Sequence, residues 1–204
     1  MPFSEFKDIP QVQRKYEIKY QESHFITAND FNDFVVPDIF KQEFDFNVKN
    51  LDIFASEAAR CEIIIFPILR EVYKKYSTKF ALWVQKSLSY DAELTGIPDY
   101  IVSRKSEYGK LFLDYPVLAV VEAKKNDFEQ GWGQCLAELV ASQKLNDNVD
   151  FPVYGIVTDG KTWEFGLLKH KFFTKNIRSF TIDDLSLLFG ALNFVFKQID
   201  ELIA

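Results

Sequence analysis

Apolar residues recur at helical spacing over residues 56–76 and predict a long helix there. Ser56 is a plausible N-cap for a helix there, and Glu57 falls in the first turn, where the helix dipole favours an acid. Pro67 lacks a backbone donor and is expected to kink the helix. The apolar stripe consists of Phe54, Ala58, Cys61, Ile65, Leu69, Val72 and Tyr76.

Runs of β-branched and aromatic residues predict four strands around a second helix. The strands are Phe80–Gln85, a run that starts at Ile97, Val117–Ala123 and Pro152–Thr158, and the helix covers residues 126–145. One face of this helix is large and apolar, with Phe128, Trp132, Leu136, Leu139 and Val140. The nearly opposite face is small and polar, with Gly131, Gln134, Ala137, Glu138 and Ala141. Small residues favour close packing of this second face against a sheet.

The C-terminal part of the chain predicts a meander and a final helix. Asp159-Gly160 is a strong turn signal that leads into a strand at Thr162–Leu168, and Phe172–Thr174 extends the meander. The segment Thr181–Asp184 resembles the capping start of the last helix, whose stripe is Leu185, Leu188, Phe189, Leu192, Phe196 and Ile199.

The N-terminal part has a weaker pattern. Tyr16, Ile18 and Tyr20 alternate with polar residues and predict a short strand, and residues 29–37 are punctuated like a loop. We interpret residues 1–50 as an N-terminal arm packed on the core and residues 51–204 as the main domain. The order helix, three strands, helix, strand predicts an α/β fold in which helices flank a mixed central sheet.

Composition and charge narrow the functional classes. The 204 residues fit one domain, and 48% hydrophobic residues are enough to build a substantial core. The net charge of -6 counts against a generic nucleic-acid binder, whose affinity depends on neutralising phosphates, but acidic active sites also lower net charge. We expect no membrane association, because no apolar run approaches the length that spans a bilayer.

The two cysteines and the first residues point to a cytoplasmic protein. Cys61 and Cys135 each lie in a helix-like apolar stripe, which favours buried free thiols over a disulfide or metal site. The first residues lack the basic-then-apolar pattern of a secretion signal.

A split acidic motif carries the candidate chemistry. Pro98-Asp99 opens one apolar run, and Glu122-Ala123-Lys124 closes the run that starts at Pro116. Lys124 is two residues from Glu122, so both side chains point to the same face of a strand. Asp99 and Glu122 supply the oxygen ligands that Mg²⁺ prefers, and Lys124 is suited to steady an attacking water or a phosphate oxygen.

Context separates this motif from chance matches. Other acidic-x-lysine triplets begin at Glu5, Glu17 and Asp159, and a second Pro-Asp pair ends at Asp38. Only Glu122 closes a β-branched strand and has a Pro-Asp strand at a compatible distance upstream. Without a metal, Asp99 would be a turn-capping residue and Glu122 would form an ion pair with Lys124.

The motif and the element order together resemble the PD-(D/E)XK nuclease superfamily, the restriction-endonuclease-like fold. The segment from Ser56 to Leu69 is similar to the start of the nuclease domain in type I restriction enzyme subunits. The resemblance implies an αβββαβ core and a metal-dependent DNA endonuclease that uses Mg²⁺ or Mn²⁺. It implies Asp99 and Glu122 as metal ligands and Lys124 as a catalytic residue.

The same resemblance implies two further site residues. Glu57 precedes Pro67 by the interval at which this family places a helical glutamate that completes the metal site, so Glu57 rather than Glu62 is the expected third ligand. Gln134 lies where several nuclease families have a glutamine that orients the lysine or the substrate. From the residues alone, Glu57 equally suits a dipole-complementing acid, and Gln134 equally suits a structural contact between helix and sheet.

The expected partner is DNA, with RNA as the alternative, and a homodimer or a separate partner subunit is compatible with the sequence. The rival interpretation is a catalytically inert nuclease-fold protein that binds nucleic acid or another protein. A basic stretch at residues 161–178 is either an edge that follows a phosphate backbone or a solvated hairpin. Its cations are Lys161, Lys169, Lys171, Lys175 and Arg178.

Overall fold

The chain folds around a mixed β-sheet. A computed structural model describes residues 2–27 and 34–203. The strands in these ranges are β1 (Lys19–Ser23), β2 (Phe80–Val84), β3 (Leu88–Ser89), β4 (Thr95–Gly96), β5 (Tyr100–Arg104), β6 (Val117–Ala123), β7 (Val153–Thr158), β8 (Thr162–Lys169), β9 (Phe172–Asn176) and β10 (Phe180–Thr181). Within the described ranges, the main sheet has the order β1-β9-β8-β7-β6-β5-β2, β10 pairs with β8, and β3 and β4 form a separate hairpin. The pairs β1–β9 and β6–β7 are parallel.

Helices cover both faces of this sheet. They are α1 (Ile9–Tyr16), α2 (Asp38–Asn50), α3 (Glu57–Arg60), α4 (Phe66–Lys74), α5 (Phe128–Leu145) and α6 (Leu185–Ile203). One core cluster joins the sheet to α2, α4 and α6, and a second joins its other face to α5 and α1. The predicted α/β class, with helices flanking a mixed central sheet, is confirmed. Within the described part of the chain, no helix is long and apolar enough to cross a membrane.

The helix predicted over residues 56–76 is present but is not continuous α-helix. Ser56 caps it as expected, because its hydroxyl oxygen accepts a hydrogen bond of 3.0 Å from the N–H of Ala59. A π-helical turn at Cys61–Ile65 separates α3 from α4, and the N–H of Phe66 donates to the carbonyl of Cys61. The irregular turn therefore directly precedes Pro67, the second residue of α4, which has no N–H to donate to a carbonyl of that turn.

The strands near the acidic motif are predicted with different success. The bounds of β6 agree with the prediction, and all seven of its residues are buried. The strand expected from Ile97 instead begins at Tyr100, because Pro98 has no N–H to donate to a ladder. Residues before it, Thr95–Gly96, form β4 and pair with β3. The N–H of Gln85 still donates to the carbonyl of Asp99 at 2.9 Å, so Asp99 is fixed at the end of the β2–β5 ladder.

The C-terminal meander follows the prediction with small corrections. Gly160 has a φ of +85°, and the side chain of Asp159 accepts hydrogen bonds from the N–H groups of Lys161 and Thr162 at 2.9 and 2.7 Å. This geometry confirms the predicted turn. The capping start predicted at Thr181–Asp184 is confirmed, because Asp184 accepts a hydrogen bond of 3.0 Å from the N–H of Leu187 in the first turn of α6.

Residues 1–50 contain structure that the sequence pattern did not reveal. The predicted strand at Tyr16–Tyr20 lies further along, at β1, because Asp8 caps and Pro10 begins a helix that includes Tyr16. The helix α2 was not predicted. The loop predicted for residues 29–37 falls mostly outside the described ranges. The boundary at residue 50 stays a prediction, and β1 is an edge strand of the main sheet.

Candidate functional site

Asp99, Glu122 and Lys124 meet at one end of the sheet, and we call them the strand-edge cluster. The register of β5 against β6 pairs Tyr100 with Val121, which sets Asp99 opposite Glu122. A carboxylate oxygen of Asp99 accepts a hydrogen bond of 2.8 Å from the N–H of Ala123. The sequence prediction that the two motif halves lie on neighbouring strands is thus confirmed by pairing and by a direct hydrogen bond.

Glu122 and Lys124 form a buried ion pair. The Nζ atom of Lys124 lies 2.7 Å from Oε1 of Glu122, and the two side chains are 19% and 2% exposed. A side chain at Gly131 of α5 would not fit beside this lysine, because an added Cβ would lie 3.1 Å from its Cγ and 2.7 Å from a methyl of Val157. Gly131 of the predicted small-residue face therefore lies against the sheet and makes room for Lys124, and Trp132 and Leu139 of the large apolar face reach the sheet as well, beside Gly155.

One oxygen of this pair has no partner. Oε2 of Glu122 is buried and makes no hydrogen bond to any described residue. A buried carboxylate oxygen without a donor is costly, since it has lost its hydration without compensation. This oxygen is therefore a candidate ligand atom for a cation.

The pKa shifts in the cluster arise first from burial and then from the charges of its own members. Burial, and then the charge of Asp99, raise the pKa of Glu122 to about 8, although Lys124 opposes the shift. Burial also raises the pKa of Asp99 above its ordinary value, although the Ala123 N–H lowers it in part. Burial alone would lower the pKa of Lys124, but the Glu122 carboxylate outweighs it and raises that pKa. Lys124 therefore stays charged, and one lysine does not neutralise two carboxylates.

A further buried acid lies behind the cluster on α5. Glu138 is fully buried, one of its carboxylate oxygens accepts a hydrogen bond of 3.1 Å from Nε2 of Gln134, and the other has no described partner. Burial and the charge of Glu122 raise the pKa of Glu138 well above its ordinary value. Sequence reasoning placed Glu138 on the sheet-facing side of α5 but gave it no role. The sequence does contain a signal for such a role, which is an acidic residue four positions after Gln134 on the same face of the helix.

The described contacts of Gln134 fit a structural role rather than a role in orienting Lys124. Its side-chain amide bonds to Glu138, and no hydrogen bond joins it to Lys124 within the described residues. The expectation that Gln134 orients the lysine therefore has no direct contact to support it. Gln134 acts on the cluster only through the acid that it holds.

Glu57 and Glu62 both line a cavity of about 400 Å³ beside the cluster. The charge of Glu57 acts on Asp99, on Glu122 and on Lys124, whereas that of Glu62 acts on Tyr100. The electrostatics therefore favour Glu57 as the helical acid related to the cluster. The remaining lining residues are Ala58, Cys61, Phe66, Val84, Gln85, Asp99 and Tyr100.

The donor set fits a cation held by two carboxylates rather than three. Within residues 2–27 and 34–203, no three His, Cys, Asp or Glu side chains come together as a metal-binding group, and Glu57 as a third direct ligand stays a prediction. Mg²⁺ in proteins usually binds one or two carboxylates and keeps several waters or substrate phosphates. The unpartnered oxygen of Glu122, close to Asp99, meets that requirement.

The basic stretch does not form one surface. Lys171 pairs with Glu17, and Lys175 pairs with Glu164 at 2.8 Å. The β8–β9 register sets Lys169 opposite Phe172, at the far end of β8 from Lys161. Lys161 follows the turn at Gly160, which packs against Arg60 of α3. Of the two exposed lysines at the ends of β8, Lys161 is therefore the one on the side of the cluster.

Both cysteines are free thiols, as predicted. Cys135 is buried, whereas Cys61 is half-buried and lines the cavity. Burial and the charge of Asp99 raise the pKa of Cys61 to about 11, which keeps its thiol protonated.

Comparison of the chain with protein-family models and with curated proteins finds no match. The resemblance to PD-(D/E)XK nucleases therefore rests on the motif and on the order of elements.

Proposed function

We propose that the protein is a metal-dependent nuclease with a restriction-endonuclease-like core. The observation that carries the proposal is the strand-edge cluster, in which Asp99 and Glu122 lie on adjacent strands with Lys124 paired to Glu122. The order of α3 and α4, β2, β5, β6, α5 and β7 supports it, since it follows the αβββαβ order of that superfamily apart from the small β3–β4 hairpin.

Asp99 and Glu122 would hold the Mg²⁺ or Mn²⁺ ion. Such an ion lowers the pKa of an attacking water and stabilises charge on a phosphate. Glu57 suits the second layer, where its carboxylate would orient a water, because its charge reaches the cluster without completing a group of three ligands. These assignments narrow the expected role of Glu57 from direct ligand to water holder.

Lys124 would stabilise the negative charge that develops on the phosphate. Its ion pair with Glu122 fixes the ammonium group at the strand end, and its raised pKa keeps it cationic at neutral pH. The side chain is 19% exposed, so the ammonium is reachable from solvent. A fixed cation at this position needs little rearrangement during the reaction, which is the main source of electrostatic catalysis.

The alternative is a catalytically inert nuclease-fold protein that binds nucleic acid or another protein. The absence of a three-ligand group in the described residues favours it, as does the net charge of -6. The buried oxygen of Glu122 that has no described partner argues against the inert alternative. Such an oxygen contributes no stability to a chain that does not bind a cation.

Cleavage assays with matched lysine variants test the proposal. Supercoiled plasmid and single-stranded circular DNA are incubated with the parent chain in Mg²⁺, in Mn²⁺ and in chelator. We expect cleavage only with metal, and we expect Lys124→Ala to reduce its rate by about 10²- to 10³-fold, the usual cost of removing one fixed charge donor. Lys125→Ala is the control, since Lys125 is the adjacent lysine and is exposed.

The outcome that contradicts the proposal is full cleavage by Lys124→Ala, or cleavage that survives the chelator. No cleavage of either DNA under any metal would favour the inert alternative, and the same substrates made of RNA separate the two nucleic acids. Glu57→Gln is expected to slow metal-dependent cleavage more than Glu62→Gln. The opposite ranking would overturn the assignment of Glu57 without affecting Asp99 or Glu122.

A further inference from the structure

The cavity beside the cluster has an aromatic wall. Phe66 and Tyr100 lie nearly parallel, with ring centroids 6.2 Å apart and an interplanar angle of 15°. Phe66 is only partly buried, and Val84, which pairs with Tyr100 between β2 and β5, is 53% exposed. The cavity volume of about 400 Å³ falls within the range of small-molecule sites, which are mostly apolar with a few placed polar groups.

The charge of the cavity excludes a phosphate from its interior. Glu57, Glu62 and Asp99 all line it, and no lysine or arginine does. A phosphate group would therefore be repelled there, whereas a neutral, flat, partly polar group would not. A nucleobase has these properties, and bases that leave their stack commonly pack on aromatic side chains.

Two polar groups at the cavity suit a nucleotide. Gln85 is exposed and has a φ of +47°, a conformation that residues other than glycine seldom adopt, and its N–H is held by the Asp99 carbonyl. Its side-chain amide makes no hydrogen bond to the described residues and offers both a donor and an acceptor to a base edge. Arg70 is also exposed, and its guanidinium lies 5.8 Å from the Phe66 ring centroid, where it can meet a backbone phosphate outside the cavity.

We infer that this cavity binds an unpaired nucleobase, stacked on Phe66 and hydrogen-bonded by Gln85, next to the phosphodiester at the strand-edge cluster. The substrate is then single-stranded or frayed nucleic acid, since a base within a duplex is not free to enter. This inference rests on the proposed function, because Asp99 belongs both to the cavity and to the cluster.

A binding experiment with and without bases tests the inference separately from cleavage. Fluorescence anisotropy in chelator compares a single-stranded oligonucleotide with an abasic strand of the same length and charge, and with the duplex. The parent chain is expected to bind the base-containing strand about five- to a hundredfold more tightly than the abasic strand, the range for stacking one base on an aromatic ring. Phe66→Leu keeps an apolar side chain in the core and should abolish this preference, whereas Phe66→Tyr should retain it.

Phe46→Ala is the matched control, because Phe46 is 63% exposed on α2 and does not line the cavity. It should leave the preference unchanged, and Gln85→Ala should reduce it. An equal affinity of the parent chain for the base-containing and abasic strands, or an unchanged preference in Phe66→Leu, would overturn the inference. Metal-dependent cleavage together with either result would show that only the inference has failed. A base preference that Phe66→Leu abolishes, in a chain that never cleaves, would show that only the nuclease activity has failed.

Discussion

Two regions of the molecule contain glutamate–lysine pairs of nearly the same length but with different burial. In the strand-edge cluster, Glu122 and Lys124 are 2.7 Å apart, and in the β8–β9 hairpin, Glu164 and Lys175 are 2.8 Å apart. The first carboxylate is 2% exposed and the second 22%. Oε2 of Glu164 also accepts a hydrogen bond of 2.6 Å from the indole N–H of Trp132, whereas Oε2 of Glu122 is buried with no hydrogen-bond partner among the described residues.

The difference shows that the candidate site is distinguished by its burial and by the number of charged groups nearby. The presence of an ion pair does not distinguish it. Solvent screens the exposed pairs, which contribute little to stability. At the cluster the same contact lies among further acids, Asp99 and Glu138, in a setting of low polarity. Burial and mutual repulsion favour the protonated form of Glu122 and Glu138, and a divalent cation would supply the positive charge that those protons supply. The hairpin lysines, in contrast, are largely neutralised by their own partners.

The largest expected effect concerns stability against pH. Burial raises the pKa of Glu122 and of Glu138, so the folded chain holds protons that the unfolded chain has released. The free energy of unfolding should therefore fall as pH rises from about 4.5 towards about 8, by up to about 1.4 kcal/mol per pH unit for each proton. Glu138→Gln should make this fall shallower and stabilise the chain at pH 8 by about 1 to 3 kcal/mol. Urea denaturation in chelator across this range measures both effects.

Glu17→Gln is the control for that experiment. Glu17 pairs with Lys171 on the surface, and that hydrogen-bonded lysine lowers its pKa, so its contribution changes only below this pH window. An identical pH slope in Glu138→Gln and in the parent chain would contradict the protonated form of Glu138 that burial favours.

A smaller effect is expected at the hairpin. Because Lys161 follows the turn beside α3 and Lys169 lies at the far end of β8, Lys161→Gln should flatten the salt dependence of nucleic-acid binding by about one unit of slope. Lys169→Gln should leave the slope unchanged. Equal changes for the two variants would restore the basic stretch as one continuous phosphate-binding surface.

The sequence predicts those parts of the fold and site that depend on local pattern. The bounds of β6 follow from an unbroken apolar run, and the shared face of Glu122 and Lys124 follows from the two-residue period of a strand. The edge strand β1 was misplaced because four of its five residues are exposed, which leaves no alternation to detect. Its partner β9 lies about 150 residues away in the chain.

Features set by packing between distant segments could not be predicted. The π-helical turn at Cys61–Ile65 depends on how α3 and α4 meet the sheet, including the bond from the Tyr100 hydroxyl to the Cys61 carbonyl. The role of Glu138 depends on the position of α5 over β6. The number of direct carboxylate ligands likewise depends on the distance between the α3 terminus and the strand ends, which the interval from Glu57 to Pro67 does not determine.

Metal binding tests the central claim most directly. Titration of the parent chain with Mn²⁺ at pH 8, followed by electron paramagnetic resonance, should show a site that Asp99→Asn loses and that Glu17→Gln retains. Binding should weaken towards pH 6, because the ion must displace the proton that burial favours on Glu122. Equal Mn²⁺ affinity in Asp99→Asn and in the parent chain would contradict the assignment of the strand-edge cluster as a metal site.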